Sequence, residues 1–134
     1  MPRSAILLGI PLILWSCGKT LGWSEVGRVG AGVLYTNSAA VVRAGTSATS
    51  WALIDFKSPQ STKGAVAGRM HLSAKSQYEY DCTFGQLRIL SVAYYSGNMG
   101  EGEIISTAVE HEGWIPVVPG STEKTLWDAI CGKA

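Results

Sequence analysis

The sequence has few charged side chains and no run of one sign. Its 134 residues include 11 Lys and Arg against 10 Asp and Glu, which gives a formal net charge of +1. Proteins that bind nucleic acid usually carry a clustered basic excess, and this chain has none. The composition therefore argues against nucleic acid as a partner.

Cysteine and histidine are also scarce. No pair among the three cysteines has the CxxC spacing, and the two histidines, His71 and His111, lie forty positions apart. Zinc sites and redox-active dithiols use closely spaced Cys and His residues. We therefore expect neither a metal nor another cofactor.

No complete catalytic motif is present. Ser121 and Lys124 have the SxxK spacing of penicillin-binding enzymes, but the KTG and SDN elements of those enzymes are absent. We therefore interpret Ser121 as a helix cap. Glu101 and Glu103 lie in a glycine-rich turn, which does not hold two carboxylates at a defined separation for catalysis. The sequence predicts a protein that is not an enzyme.

Residues 1–16 are predicted to form a signal peptide. Arg3 precedes a mostly apolar run from Ala5 to Trp15. A helix that spans a bilayer needs roughly 20 apolar residues, and this run is shorter. The segment is therefore expected to direct export and then to be removed.

A lipidation site is predicted directly after this segment. Leu14-Trp15-Ser16-Cys17 resembles a lipobox, in which signal peptidase II cleaves before a cysteine that receives lipid. We expect lipid at Cys17, a lipidated tether over residues 17–22 and a location at the bacterial outer membrane. Two acyl chains would anchor the protein stably. The alternative is cleavage after Gly18, which would release a secreted or periplasmic protein.

Lipid at Cys17 would leave Cys82 and Cys131 as a pair in an oxidising compartment. The two residues are 49 positions apart. Closure of a loop of that length stabilises a fold by about 4 kcal/mol, less any strain. We therefore predict a disulfide between them.

Residues 23–134 are predicted to form one α+β domain. Ser121 is the expected cap of a C-terminal helix. One face of this helix is expected to carry Leu126, Trp127, Ile130 and Cys131. We expect an antiparallel sheet of about six strands with this helix packed on one face and tied by the disulfide. A loop is expected at residues 58–64. Alternating or β-branched segments predict extended structure at residues 23–28, 33–35, 50–57, 67–72, 76–84, 86–95, 104–109 and 114–118.

Several elements of this pattern resemble the surface-adhesin protein E family of bacterial envelope proteins. The resemblance extends from about Trp23 to Cys131. The elements that carry it are Trp23 with Tyr35, the aromatic strand Trp51-Ala52-Leu53-Ile54-Asp55-Phe56, Tyr80-Asp81-Cys82, Pro119-Gly120-Ser121 and the segment from Leu126 to Cys131.

The resemblance implies a sheet with a disulfide-tethered C-terminal helix, carried on a lipoprotein or a secreted protein. Adhesin members of the family bind host matrix and plasma proteins through exposed loops and basic side chains. The corresponding candidates here are spread singly along the chain. They are Lys63, Arg69, Lys75 and Arg88.

We therefore expect a non-catalytic envelope lipoprotein that binds a protein partner at the bacterial surface, as an adhesin does. The partner would be a host matrix or plasma protein, or another envelope component. The alternative is an accessory that faces the periplasm and supports the structure or assembly of an outer-membrane complex. Balanced charge and low basic content are compatible with both roles.

Overall fold

The computed structural model describes residues 22–62, 65, 68–109 and 113–132. The predicted signal peptide over 1–16, the lipidation site at Cys17 and the candidate binding residue Lys63 lie outside these residues.

The described residues form one antiparallel sheet of eight strands and one α-helix. Six strands follow one another in the order β1-β2-β4-β5-β6-β7, while β3 pairs with β4 and β8 with β6. The predicted architecture is confirmed, and the two short strands β3 and β8 raise the strand number above six. The strands are β1 Ser24–Val29, β2 Gly32–Thr36, β3 Val42–Ala44, β4 Ser47–Ser61, β5 Met70–Asp81, β6 Gln86–Tyr95, β7 Ile104–Val109 and β8 Ile115–Pro116.

Strands β4 and β5 are longer than the sequence pattern indicated. Residues 58–61 continue β4, where a loop was expected, because Gln60 pairs with His71 across the hairpin. Pro59 is accommodated where the register shifts between Asp55 and Gln60. The two extended segments predicted at 67–72 and 76–84 were also wrong in their bounds. They are replaced by a single β5, which pairs with β4 on one side and β6 on the other.

The helix α1, Thr122–Cys131, packs on one face of the sheet. The side chain of Ser121 accepts a hydrogen bond from the main-chain nitrogen of Lys124, so the predicted cap is confirmed. Leu126 and Ile130 are buried on the inner side of the helix. They complete a core that includes Leu34, Ala48, Ala52, Tyr80 and Leu87 from the sheet. Among the described residues, none of the helical segments has the length and apolar character needed to cross a membrane.

The predicted disulfide between Cys82 and Cys131 is confirmed. The two Cα atoms are 5.4 Å apart, and the bond joins the residue after β5 to the last residue of α1. Next to it, a guanidinium nitrogen of Arg43 in β3 donates a hydrogen bond of 2.8 Å to the carbonyl oxygen of Ile130. The end of the helix is therefore held both by a covalent bond and by a charge-assisted hydrogen bond.

Candidate protein-binding face

Trp51 lies on the face of the sheet that α1 leaves uncovered, which we call the open face. Alternate residues of a strand point to opposite sides, and Ala48 and Ala52 of the same strand pack in the core beneath the helix. Trp51 pairs with Gln77 of β5, which in turn pairs with Ser91 of β6. The Trp51 side chain is 37% exposed. A large, partly exposed aromatic residue thus lies on an inner strand beside polar residues of β5 and β6.

The turn between β6 and β7 bounds the open face at one end. Its Asn98–Gly100 segment forms a 3-10 turn. The carboxylate of Asp55 accepts hydrogen bonds from the main-chain nitrogen of Met99, at 2.6 Å, and from the side-chain nitrogen of Asn98, at 3.1 Å. The hydroxyl of Ser73 donates to the carbonyl oxygen of Gly97 at 2.6 Å. These bonds hold the turn against β4 and β5 and give the face a fixed edge.

Basic side chains on the open face are stacked on aromatic rings. The ammonium group of Lys75 lies 5.3 Å from the centre of the Tyr95 ring. The guanidinium of Arg88 lies 4.6 Å from the Trp114 ring and 2.7 Å from the carboxylate of Glu79. Such cation–π contacts hold a charged side chain in place and leave part of it available to a partner.

The four candidate binding residues do not form one basic patch. Lys75 and Arg88 both lie on the open face. Arg88 pairs with Glu79, which comes four residues after Lys75 in β5. At the usual rise per residue of a strand, the two basic residues are therefore about 13 Å apart along the strand direction. Arg69 precedes β5 and forms a salt bridge of 2.9 Å with Glu103. Lys63 lies outside the described residues. Their role in binding stays a prediction.

Trp51 was named only within the aromatic strand that carries the family resemblance, and neither Trp51 nor Gln77 was predicted to bind a partner. Strand β4 is apolar on both faces around this point, because Trp51 and Leu53 alternate with Ala52 and Ile54. Periodicity alone therefore could not decide whether Trp51 and Leu53 or Ala52 and Ile54 faced the helix. Small residues at 48 and 52 were the available signal, since a helix packs more closely over alanine than over tryptophan.

Among the described residues, no three His, Cys, Asp or Glu side chains come together in a group that could hold a metal ion. The tyrosines of the helix-covered face are also held in their neutral form. Burial raises the pKa of Tyr78 to about 12, with a smaller contribution from the negative charge of Glu123. The open face thus offers aromatic, amide and cationic contacts for recognition.

Comparisons with known proteins agree with this architecture. The sequence profile of the surface-adhesin protein E family matches residues 23–132. No curated protein matches the chain in sequence. Among solved structures, the selenomethionine form of Haemophilus influenzae protein E has a TM-score of 0.65 at 14% identity, covering 83% of this chain and 86% of that chain. A second structure of that protein has a TM-score of 0.62 at 15% identity, covering 85% of this chain and 89% of that chain.

Proposed function

This chain belongs to the surface-adhesin protein E family, and from that premise we propose that it is a non-catalytic envelope protein that binds a protein partner through the open face. The observation that carries the proposal is the exposed Trp51 on an inner strand, between β2 and β5. Energetic hot spots of protein interfaces are enriched in Trp, Tyr and Arg. Trp51 has the character of such a hot spot.

The shape of the open face favours a macromolecular partner. Small-molecule sites are concave and enclose most of their ligand, whereas this surface is the side of a sheet. Gln77 and Ser91 provide hydrogen-bonding groups in the same cross-strand row as Trp51. Lys75 adds positive charge at one margin, while the guanidinium of Arg88 is paired with the carboxylate of Glu79, and each of the two basic side chains also contacts an aromatic ring. Direct polar contacts around an aromatic centre are typical of protein interfaces.

Attachment to the envelope is part of the proposal. Export would use the signal peptide over 1–16, and lipid on Cys17 would hold the domain at the outer membrane through the short tether over 17–22. The lipobox-like sequence that ends at Cys17 supports this step. A domain held in this way at the cell surface would present its open face to proteins of a host.

Two measurements test the surface role and the binding face. Proteinase treatment of intact cells should remove the domain, since an adhesin is exposed outside the outer membrane. Purified full-length protein should bind an immobilised extracellular-matrix extract, and Trp51→Ala should weaken that binding at least about tenfold, which corresponds to roughly 1.4 kcal/mol.

Phe84→Ala is the matched control for Trp51→Ala. Phe84 is more exposed than Trp51, at 78%, but lies in the turn between β5 and β6. Its truncation should leave matrix binding unchanged. Equal binding by Trp51→Ala and the unaltered protein would contradict the assignment of the open face. Full protection of the domain on intact cells would contradict the surface role and favour the periplasm-facing accessory instead.

A further inference from the structure

The described chain enters the sheet at a defined end. In β1, Ser24 is in the same cross-strand row as Ala52 of β4, and Val29 is in the row of Phe56. Gly22 and Trp23, which precede β1, therefore lie on the side of Ser24 towards the end at which β4 begins, at Ser47. Gly22 lies against the side chain of Asn37, whose main-chain nitrogen bonds to the carbonyl oxygen of Trp51.

Three loops lie at this end of the sheet, which we call the entry end. They are the β3–β4 turn at 45–46, the β5–β6 turn at 82–85 and the β8–α1 loop at 117–120. The main-chain nitrogen of Cys82 bonds to the carbonyl oxygen of Thr46, and that of Val117 to the carbonyl oxygen of Gly85, each at 3.0 Å. The three loops are thus neighbours. The β1–β2 and β6–β7 turns lie at the opposite end.

The loops of the entry end are uncharged, whereas the β6–β7 turn at the opposite end carries charged residues. None of the three loops contains a charged residue. Phe84 is 78% exposed and Val118 57%. In the adjacent β3, exposed Val42 is followed by exposed Arg43, whose guanidinium donates to the carbonyl oxygen of Ile130. The β6–β7 turn at the opposite end carries exposed Glu101 and Glu103 instead. Exposed apolar side chains grouped at one end of a domain favour contact with an apolar phase.

The exposed Phe84 is held in a fixed position. One carboxylate oxygen of Asp81 accepts hydrogen bonds from the main-chain nitrogens of Thr83 and Phe84, at 3.0 and 3.1 Å. The other accepts from the side-chain nitrogen of Gln86 at 3.0 Å. The disulfide from Cys82 ties the same turn to the helix. The main chain of the turn that carries the exposed Phe84 ring is therefore braced.

The distance from the predicted anchor limits where this end can lie. Five residue steps separate Cys17 from Gly22, and a fully extended chain covers at most about 17 Å over five residues. If Cys17 carries lipid, as the proposed function requires, Gly22 must lie within about 17 Å of the Cα atom of Cys17, whose acylated side chain is at the bilayer interface. Gly22, the first residue that the structure describes, lies on the side of β1 that faces the entry end.

We propose that the entry end rests on the lipid bilayer that holds the anchor, with Phe84 and Val118 at the membrane interface. Uncharged loops avoid the cost of removing charges from water, and apolar side chains gain from leaving it. In this orientation the strands extend away from the membrane surface. A partner would approach the open face parallel to the membrane, and the β6–β7 turn would be the part of the domain furthest from the bilayer.

Paramagnetic broadening in lipid nanodiscs tests this orientation. The deuterated, ¹⁵N-labelled full-length protein is purified from membranes and placed in phosphatidylethanolamine and phosphatidylglycerol nanodiscs that contain a gadolinium-chelating lipid. The amide signals of Thr46, Thr83 and Phe84 should relax at least fivefold faster than those of Gly100 and Glu101. Equal relaxation at the two ends, or faster relaxation at Gly100, would overturn the proposal.

Two variants show whether apolar contact sets the orientation. Phe84→Ser should reduce the difference in paramagnetic relaxation rate between the amides of the two ends by at least half. Val109→Ser, which removes an equally prominent side chain, 69% exposed, from the edge strand β7, should leave the difference unchanged. An unchanged difference in Phe84→Ser would overturn the assignment of the contact to this turn.

Mass spectrometry of the same sample separates the two proposals. If Cys17 is acylated but the amides of the two ends relax equally, the membrane contact alone is overturned and the proposal of an anchored binding module stands. Cys17 without lipid would overturn both the anchor and this orientation. A difference that appears only after an outer-membrane protein is added to the nanodiscs would assign the entry end to a protein partner and would also overturn the proposal.

Discussion

The indole nitrogen of Trp127 donates a hydrogen bond to the main-chain carbonyl oxygen of Asp81, with 3.1 Å between the two atoms. The bond joins α1 to the last residue of β5, one position before the disulfide-bonded Cys82. The ammonium group of Lys124 lies 5.1 Å from the centre of the same indole ring. The helix is thus attached to one corner of the sheet by a covalent bond and, beside it, by a polar one.

Replacement of Trp127 by Phe should weaken this attachment. A typical intramolecular hydrogen bond contributes about 1 kcal/mol, and the smaller Phe ring also buries less apolar surface. The carbonyl oxygen of Asp81 keeps the main-chain nitrogen of Gly85 as a partner, at 3.1 Å. We expect Trp127→Phe to lower the free energy of unfolding by about 1–2 kcal/mol, measured by urea denaturation with the disulfide intact. Trp51→Phe, on the open face, should change it by less than about 0.5 kcal/mol. Equal effects of the two substitutions would contradict the structural role of the indole nitrogen.

Removal of the disulfide should have a larger effect. The bond closes a loop between residues 49 positions apart, for which the chain-entropy estimate is about 4 kcal/mol. The double variant Cys82→Ala/Cys131→Ala should lose about that much stability. Hydrogen exchange should show the greatest loss of protection in α1, because the helix then keeps only its non-covalent contacts. Cys17→Ser serves as the control. A loss below about 1 kcal/mol would show that the folded packing alone fixes the helix.

Local signals explain why the helix and its disulfide could be predicted. A capping residue at Ser121 and apolar residues spaced at four positions are contained within a short segment. The pairing of Cys82 with Cys131 followed from the number of cysteines once Cys17 was assigned to lipid. Both inferences depend on residue identity and spacing, which a single sequence displays directly.

The long hairpin and the open face depend on contacts between distant residues. Ser73 interrupts an apolar pattern and was left outside the predicted strands. It is nevertheless buried against the β6–β7 turn, where its hydroxyl donates to the carbonyl oxygen of Gly97. Strands β3 and β8 are only three and two residues long, so their extended form is set by pairing with β4 and β6. The side of β4 that the helix covers is also determined by tertiary packing, and it determines whether Trp51 is exposed.

The hydroxyl of Tyr80 gives a prediction of increased stability. Tyr80 is fully buried in the core, and its hydroxyl oxygen finds no hydrogen-bond partner among the described residues. Burial also raises the pKa of this phenol well above its ordinary value. A buried polar group without a partner costs about 1–3 kcal/mol, whereas Phe fills the same ring volume. Tyr80→Phe should therefore raise the free energy of unfolding by about 1 kcal/mol.

Tyr78→Phe is the matched control for Tyr80→Phe. Its ring lies 5.8 Å from that of Tyr80 in the same core, but the residue is only partly buried. Removal of this hydroxyl should change stability by less than about 0.5 kcal/mol. Destabilisation by Tyr80→Phe would mean that the hydroxyl has a partner and would contradict the expectation.

His71 should make the stability of the domain depend on pH. The residue is 6% exposed, its Nδ1 lies 2.8 Å from the hydroxyl oxygen of Thr62, and its ring contacts those of Phe56 and Tyr94. Burial lowers the pKa of His71 below its ordinary value, which is about 6.5. The folded protein therefore binds this proton less readily than the unfolded chain does.

The sign of the dependence follows from proton binding. Because the unfolded state takes up the proton first, the contribution of His71 to stability is complete above about pH 6.5 and is lost as the pH falls through the folded-state pKa. One proton gives a slope of at most about 1.4 kcal/mol per pH unit. Urea denaturation at pH 7.5, 6.5 and 5.5 should show a falling free energy of unfolding in the unaltered protein. In His71→Gln, the free energy of unfolding should decrease less between pH 7.5 and pH 5.5. The same slope in His71→Gln would assign the pH dependence to other groups.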